Sequence, residues 1–272
     1  MPANISRRDY IIRGCSPPSE PTSTLVLTSK SGWYIDIRIL LSQPRPSAKE
    51  IEKLKTIFKD ENTDDAELFL DPDRKSLSIN RLDWAFSGQG HSTPAKGKDP
   101  GFSKWEHWID SKTGLGESPE PDEGSMYPQD DGRTLEKGSS IDAVTGEEKT
   151  YEEMWRNVAV VKPSTWPETS YSCVVLVCDE PEKSMRGCIM RLGEYCQGVK
   201  RVGKEFYAER WKYAYSDQWE EGKWCLLARI GDGDVGCEVL VNNIDLGQKV
   251  RVGEDVDVEG CKWRIHELDN DW

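Results

Sequence analysis

Apolar and polar residues alternate with a period of two along much of this chain. In residues 31–40 (S-G-W-Y-I-D-I-R-I-L), a Ser-Gly turn signal launches a run with Trp33, Ile35, Ile37 and Ile39 on one face. Tyr34, Asp36 and Arg38 fall on the other. Such alternation predicts a half-buried β-strand. Upstream, 24–28 (T-L-V-L-T) is a second β-rich run, and the short polar stretch ending in Gly32 suits a hairpin. The same grammar returns at 172–178 (S-C-V-V-L-V-C), followed by a charged loop and 187–193 (G-C-I-M-R-L-G).

Between these hairpins the pattern changes once. Ser47 with Glu50 three residues later reads as a capping box ahead of Ile51, Leu54, Ile57 and Phe58, predicting a surface helix over 47–59. Strands are expected again at 66–70, 76–79 and 82–87, the last ended by Gly88 and Gly90, then a loop over 88–101 and a strand at 105–110. Residues 111–150, rich in Gly, Pro, Asp, Glu and Ser, read as short strands and turns along a barrel rim. The run 151–161 completes this half, its first turn open to a helical reading, and 163–167 reads as a linker.

The second half predicts strands at 173–178, 187–195, 206–215, 223–230, 238–241, 249–252 and 261–268, with no helix. Many short antiparallel strands imply a closed barrel or a sandwich, and closure removes exposed edges. Two further echoes, W-E-H-W-I-D-S (105–111) with W-K-Y-A-Y-S-D (211–217) and M-W-R (154–156) with K-W-R (262–264), extend the apparent duplication. The expected architecture is mainly β: an extended arm over 1–22, an N-terminal β-barrel with insertions over 23–162 that carries one short helix, and a C-terminal β-barrel over 168–272.

At 272 residues either half is large enough to bury a core, and 11 Trp with 9 Tyr favour strands and an aromatic-lined pocket. The formal charge of −13 repels nucleic-acid backbones and anionic membrane surfaces, and the short basic group at Lys200, Arg201 and Lys204 lies beside Glu205. No nucleic-acid partner and no membrane insertion are therefore expected, and without an apolar leader the reading is cytoplasmic. Eight cysteines lie largely in apolar strand-like runs and form no C-x-x-C pair, while the three histidines are scattered. Reduced thiols follow, with a Cys173–Cys188 disulfide as the weaker alternative, and no structural zinc. The G-D-G-D run at 231–234 lacks the remaining ligands of a calcium loop and reads as a hairpin turn. Phosphate loops, nucleophile elbows and dinucleotide fingerprints are absent, so neither metal nor cofactor is expected.

Several stretches together resemble a small fungal family named for a yeast protein that interacts with a casein kinase. They are D-I-R (36–38), L-D-W-A-F-S-G (82–88), W-E-H-W-I-D (105–110), D-E-G-S-M-Y-P (122–128), Y-E-E-M-W (151–155) and R-L-G-E-Y-C-Q-G (191–198), in order along nearly the whole chain. The resemblance implies a pair of lipocalin-like β-barrels and a protein kinase as a partner, in a family whose biochemical activity is largely undefined.

A lipocalin-like barrel can enclose one small apolar ligand. The apolar residues Trp33, Ile35, Ile37 and Ile39 are the natural core set, which turns Tyr34, Asp36 and Arg38 outward. The opposite orientation places an acid and a guanidinium inside a protein cup. His107 shares a strand face with Trp105 and Ile109, and Glu194 shares one with Cys188, Met190 and Leu192. Core or surface placement is the bland reading of each, and proton donation the sharp one.

Three functions follow. The first is a small hydrophobic molecule bound among Tyr34, Arg38, Trp84, Phe86, Trp105, Tyr127, Tyr195 and Trp211, with a protein partner outside. The second is a cofactor-independent isomerase or cyclase of fungal secondary metabolism with Asp36, His107 or Glu194 as the acid. The third is a ligand-free scaffold filled by its own tryptophans.

Overall fold

The computed structural model describes residues 2–52, 63–71, 73–117, 119–141, 145–215, 221–243 and 250–270. Eight strands form a closed antiparallel barrel in simple up-and-down order: β1 (Asn4–Arg13), β2 (Thr22–Thr28), β3 (Trp33–Leu40), β4 (Leu82–Thr93), β5 (Gly101–Asp110), β6 (Asp122–Pro128), β7 (Thr134–Ile141) and β8 (Glu148–Val158). A second sheet follows, built from β9 (Cys173–Glu180), β10 (Met185–Leu192), β11 (Tyr195–Val202), β12 (Glu205–Ala214), β13 (Lys223–Ile230), β14 (Asp255–Val258) and β15 (Cys261–Asp269). Its order is β13-β12-β11-β10-β9-β15-β14.

The chain is mainly β, as its alternation predicts, but the halves differ. Among the described residues the second sheet does not close, and β13 and β14 stand at its two ends. Residues 238–241, expected as a strand, lie in the short helix α2 (Glu238–Asn242), and 250–254 is irregular. Val235, Cys237, Leu240 and Val241 fill the face that closure would have covered, against Val174, Leu176, Ile189 and Trp263. The G-D-G-D run leads from β13 toward this helix and is not a hairpin turn.

The extended arm expected over 1–22 is largely a barrel strand. β1 pairs with β2 on one side and β8 on the other, so it is the closing stave. Its signal is weak in sequence because both faces are mixed: Ile5 and Arg7 are buried on one, and Asn4 and Ser6 line the interior on the other. The stretch 111–150, read as short strands and turns along a barrel rim, supplies β6, β7 and the start of β8, whose polar faces look into the barrel. β4 runs through Gly88 and Gly90 to Thr93. A Cβ on Gly88 would lie 1.9 Å from the Glu106 carbonyl oxygen, so glycine here permits a close strand crossing at a bulge.

Residues 66–70 lie in a helix, α1 (Thr63–Leu70), whose buried Asp65, Ala66 and Leu68 face the protein. Leu77 makes a parallel bridge to Ile230, and Ile79–Arg81 is a 3₁₀ turn, where a strand had been expected. The capping box forms: Ser47 Oγ and N donate to Glu50 Oε2 at 2.6 and 2.9 Å, and residues 48–52 are helical. The rest of the expected helix, 53–59, lies outside the described residues. Cys173 and Cys188 are not cross-strand partners, since they face Leu192 and Val177, and all eight cysteines are free.

The principal core lies between the halves. Ile5, Leu25, Leu27, Ile35, Ile37 and Ile39 on the barrel's outer wall pack against Cys173, Val175, Cys188, Met190, Leu227 and other residues of the second sheet. Polar anchors cross the same interface. Arg210, fully buried on β12, donates to Gln197 Oε1 (2.8 Å), Ser23 Oγ (2.7 Å) and the Ile37 carbonyl (2.7 Å). Gln197 in turn donates to the carbonyls of Leu25 and Ile35. Beside them, Arg7 and Lys212 bracket Asp65, which also accepts from the Tyr195 hydroxyl. Here the hydrophobic effect supplies the area, and the buried hydrogen bonds fix the register.

Candidate functional site: the barrel interior

Because the apolar face of β3 packs on the second sheet, its polar face must point into the barrel. Tyr34, Asp36 and Arg38 therefore line a cavity of about 260 Å³, with Trp84, Phe86, Trp105, Asp122, Glu136, Tyr151, Glu153 and Trp155 around them. The outward orientation expected from the isoleucines is reversed: they are buried, but outside the barrel. Register carries the same choice around the wall. Asp36 faces Phe86, Arg38 faces Trp84, Glu136 faces Glu153 and Gly138 faces Tyr151, and directly opposed residues share a side of the sheet.

One wall is aromatic and cationic. The Arg38 guanidinium lies 5.0 Å from the Trp84 ring centroid and 5.3 Å from that of Phe86, and its Nε and Nη2 donate to Asp36 Oδ2 at 3.0 and 2.8 Å. Burial works against this cation, but Asp36 and Glu153 more than offset it and raise its pKa well above the ordinary value. Behind Phe86, His107 stacks at 4.2 Å and its Nδ1 donates to Asp110 Oδ2 at 2.8 Å. Burial opposes the Asp110 charge, yet hydrogen bonds from His107, the Lys112 amide and Trp84 hold its pKa below the usual range.

The other wall is acidic. Glu153 accepts from Arg8 at 2.6 Å and lies 3.7 Å from Arg38. Glu136, 4% exposed, accepts from the Tyr151 hydroxyl at 3.0 Å and has no cationic nitrogen within 4.0 Å among the described residues. Burial, and then the facing Glu153 carboxylate, push Glu136 up to about 8. Burial likewise raises Asp122 despite Arg38 and His107, and raises the Tyr151 phenol with help from Glu136. Two inward glycines make room: a Cβ on Gly124 would sit 2.7 Å from Glu136 Cγ, and one on Gly138 2.4 Å from the Tyr151 hydroxyl. Two buried polar atoms of wall residues, Asp36 Oδ1 and Trp155 Nε1, have no hydrogen-bond partner among the described residues.

The structure thus brings together Tyr34, Asp36, Arg38, Trp84, Phe86 and Trp105, with His107 behind the aromatic wall. The others lie elsewhere. Tyr127 is on the outer face of β6, and Glu194 occupies the β10–β11 turn of the second sheet. Tyr195 is in the interface beside Asp65, and Trp211 Nε1 donates to Glu209 on β12. Sequence reasoning missed Asp122, Glu136, Tyr151, Glu153 and Trp155. The last three alternate at 151, 153 and 155, a strand signal masked by reading the first turn there as helical.

Fold and cavity together define a closed antiparallel barrel with a charged, aromatic-lined interior, backed by a second sheet. The chain belongs to the family described as Protein HRI1, whose model matches residues 4–267. The crystal structure of an uncharacterized protein from Saccharomyces cerevisiae, YLR301w, is similar to it with a TM-score of 0.63 at 19% identity, over 98% of this chain and 99% of that one. That likeness extends through both halves and concerns the fold. No curated protein matches the chain.

Proposed function

We propose that the protein binds a small molecule inside its N-terminal barrel. The observation that carries this is a cavity of about 260 Å³ inside a closed barrel, lined by aromatic rings, carboxylates and the Arg38 guanidinium. Polar groups on such a wall lose bulk water, and a ligand with matching donors and acceptors recovers that cost. The volume lies near the small end of ligand pockets. The purely hydrophobic ligand expected from sequence fits poorly, because carboxylates and a guanidinium on the wall demand polar contacts.

Native mass spectrometry tests the reading. After incubation with a cell extract and buffer exchange, the wild-type chain should carry a small-molecule adduct. Val26→Trp, which fills the cavity from β2, should not. Bare chain mass for both would overturn the proposal and favour a ligand-free scaffold. A casein kinase, the partner implied by the resemblance, would meet the outer surface and is compatible with an occupied barrel.

One observation favours a second reading, a cofactor-independent isomerase or cyclase. Glu136 retains its proton to about 8 beside an ionised neighbour, as a general acid requires. In that case Glu136, with Tyr151 hydrogen-bonded to it and Asp36 on β3, replaces His107 and Glu194 as the candidate donor. Turnover of any candidate substrate that survives unchanged in Glu136→Gln would rule this out.

A further inference from the structure

The ligand class follows from the imbalance of charge on the cavity wall, an argument that rests on the reading of the barrel as a binding site. Four carboxylates, Asp36, Asp122, Glu136 and Glu153, line the cavity against Arg13 and Arg38. Arg13 is exposed at the rim. Arg38 is committed to Asp36 and, with Arg8, to Glu153. The two acids left over are Glu136, which accepts from Tyr151, and Asp122, which has no Lys or Arg nitrogen within 4.0 Å among the described residues and lies 3.9 Å from His107 Nε2.

A second, independent observation points the same way. Asp36 lines the cavity, is 3% exposed, and its Oδ1 has no hydrogen-bond donor among the described residues. A buried carboxylate oxygen needs an N–H or O–H, and no side chain of the wall supplies one. Gly124 and Gly138 clear space for Glu136 and Tyr151 to lie flat against the wall, with Glu136 Oε1 and the Tyr151 hydroxyl over the two glycines. The aromatic residues Tyr34, Trp105 and Trp155 supply flat surfaces.

We infer that the barrel takes a small aromatic or otherwise flat organic amine as its ammonium ion, with the cation on Glu136 and Asp122 and the flat body against Trp105, Trp155 and Tyr34. An ammonium group brings the charge and the N–H donors that the acidic wall lacks, and aromatic faces add cation–π attraction. An anionic ligand would meet Asp122 and, as pH rises, an ionising Glu136 in a low-dielectric hollow, and be repelled.

Matched compounds test this by isothermal titration calorimetry on the full chain: tyramine, tyrosol and 4-hydroxyphenylacetate, and tryptamine, tryptophol and indole-3-acetate. At pH 8 each amine should bind at least tenfold more tightly than its alcohol, and the acids least. Glu136→Gln should lower amine affinity about tenfold and leave the alcohols unchanged.

The groups facing Glu136 are Glu153 and Tyr151 from β8, Asp122 from β6 and Arg38 from β3. As Glu136 ionises among them, amine affinity should rise from pH 6 to 8.5 while alcohol affinity stays flat. Alcohols or acids that bind as tightly as the amines, or a preference that survives Glu136→Gln, would overturn the amine inference and leave the cavity reading standing. The same holds if none of the six binds while an adduct is found by mass spectrometry. With no adduct either, both readings fall.

Discussion

Glu136 on β7 and Glu153 on β8 stand directly opposite each other across an antiparallel pair, both turned into the barrel, and only Glu153 holds a guanidinium. Like charges so placed repel, and burial removes the water that would screen them. The outcome is asymmetric: Arg8 keeps a counter-ion on Glu153, and Glu136 retains a proton to about 8.

That asymmetry makes stability depend on pH. Because the folded pKa of Glu136 lies above its unfolded value near 4.5, the folded state binds an extra proton between about pH 4.5 and 8. Its contribution is fully present below 4.5 and is lost as pH rises, at about 1.4 kcal/mol per unit at the steepest. Glu136→Gln should therefore become progressively more stable than wild type on going from pH 5 to pH 9, by roughly 2–4 kcal/mol in urea unfolding. An equal difference at both pH values would show that Glu136 titrates as an ordinary glutamate.

Gly88 should tolerate no side chain. With the Glu106 carbonyl oxygen 1.9 Å from the position of a Cβ, Gly88→Ala must part β4 from β5. The loss should be about 3 kcal/mol or more, read as a lowered urea midpoint. A change below about 0.5 kcal/mol would mean the bulge can shift without penalty.

Arg210 should hold the two halves in register. Arg210→Met leaves Ser23 Oγ, Gln197 Oε1 and the Ile37 carbonyl without their donor in a dry interface. Stability should fall by about 3 kcal/mol, and limited proteolysis between β8 and β9 should quicken. Burial, then the neighbouring Arg7, lower this guanidinium only to about 10, so it stays charged at neutrality and its removal is not mimicked by mild alkali.

Thiol reactivity should separate one cysteine from the rest. Cys15 is exposed, Cys261 half-buried, and the other six are buried. Burial pushes Cys178 and Cys188 up to about 12, which leaves little thiolate at pH 8. A disulfide-exchange reagent should modify one thiol quickly, Cys261 slowly, and the remainder after unfolding. Cys15→Ser should abolish the fast phase. Several fast thiols in native protein would contradict the burial described here.

The sequence by itself determined the strand alternation of β2, β3, β5, β9, β12, β13 and β15, the capping box at Ser47 and Glu50, and the pairing of the two hairpins, since each depends on neighbours within a few residues. It also determined that Tyr34, Asp36 and Arg38 share a face. Periodicity cannot say which face is inside, because a period of two is unchanged when the two sides of a strand are exchanged. Only the tertiary structure decided that: the second sheet covers the isoleucines from outside, and the polar face is left to the barrel.

The acids of β6–β8 were hidden for a related reason. Asp122 and Glu136 lie in the polar stretch 111–150 and Glu153 in the run after it, and they face a cavity only because β1 closes the barrel beside β8. Residues 238–241 and 66–70 show the opposite limit. Short apolar runs such as E-V-L-V and A-E-L-F-L fit a strand or one turn of helix equally well, and the surface each has to cover makes the choice.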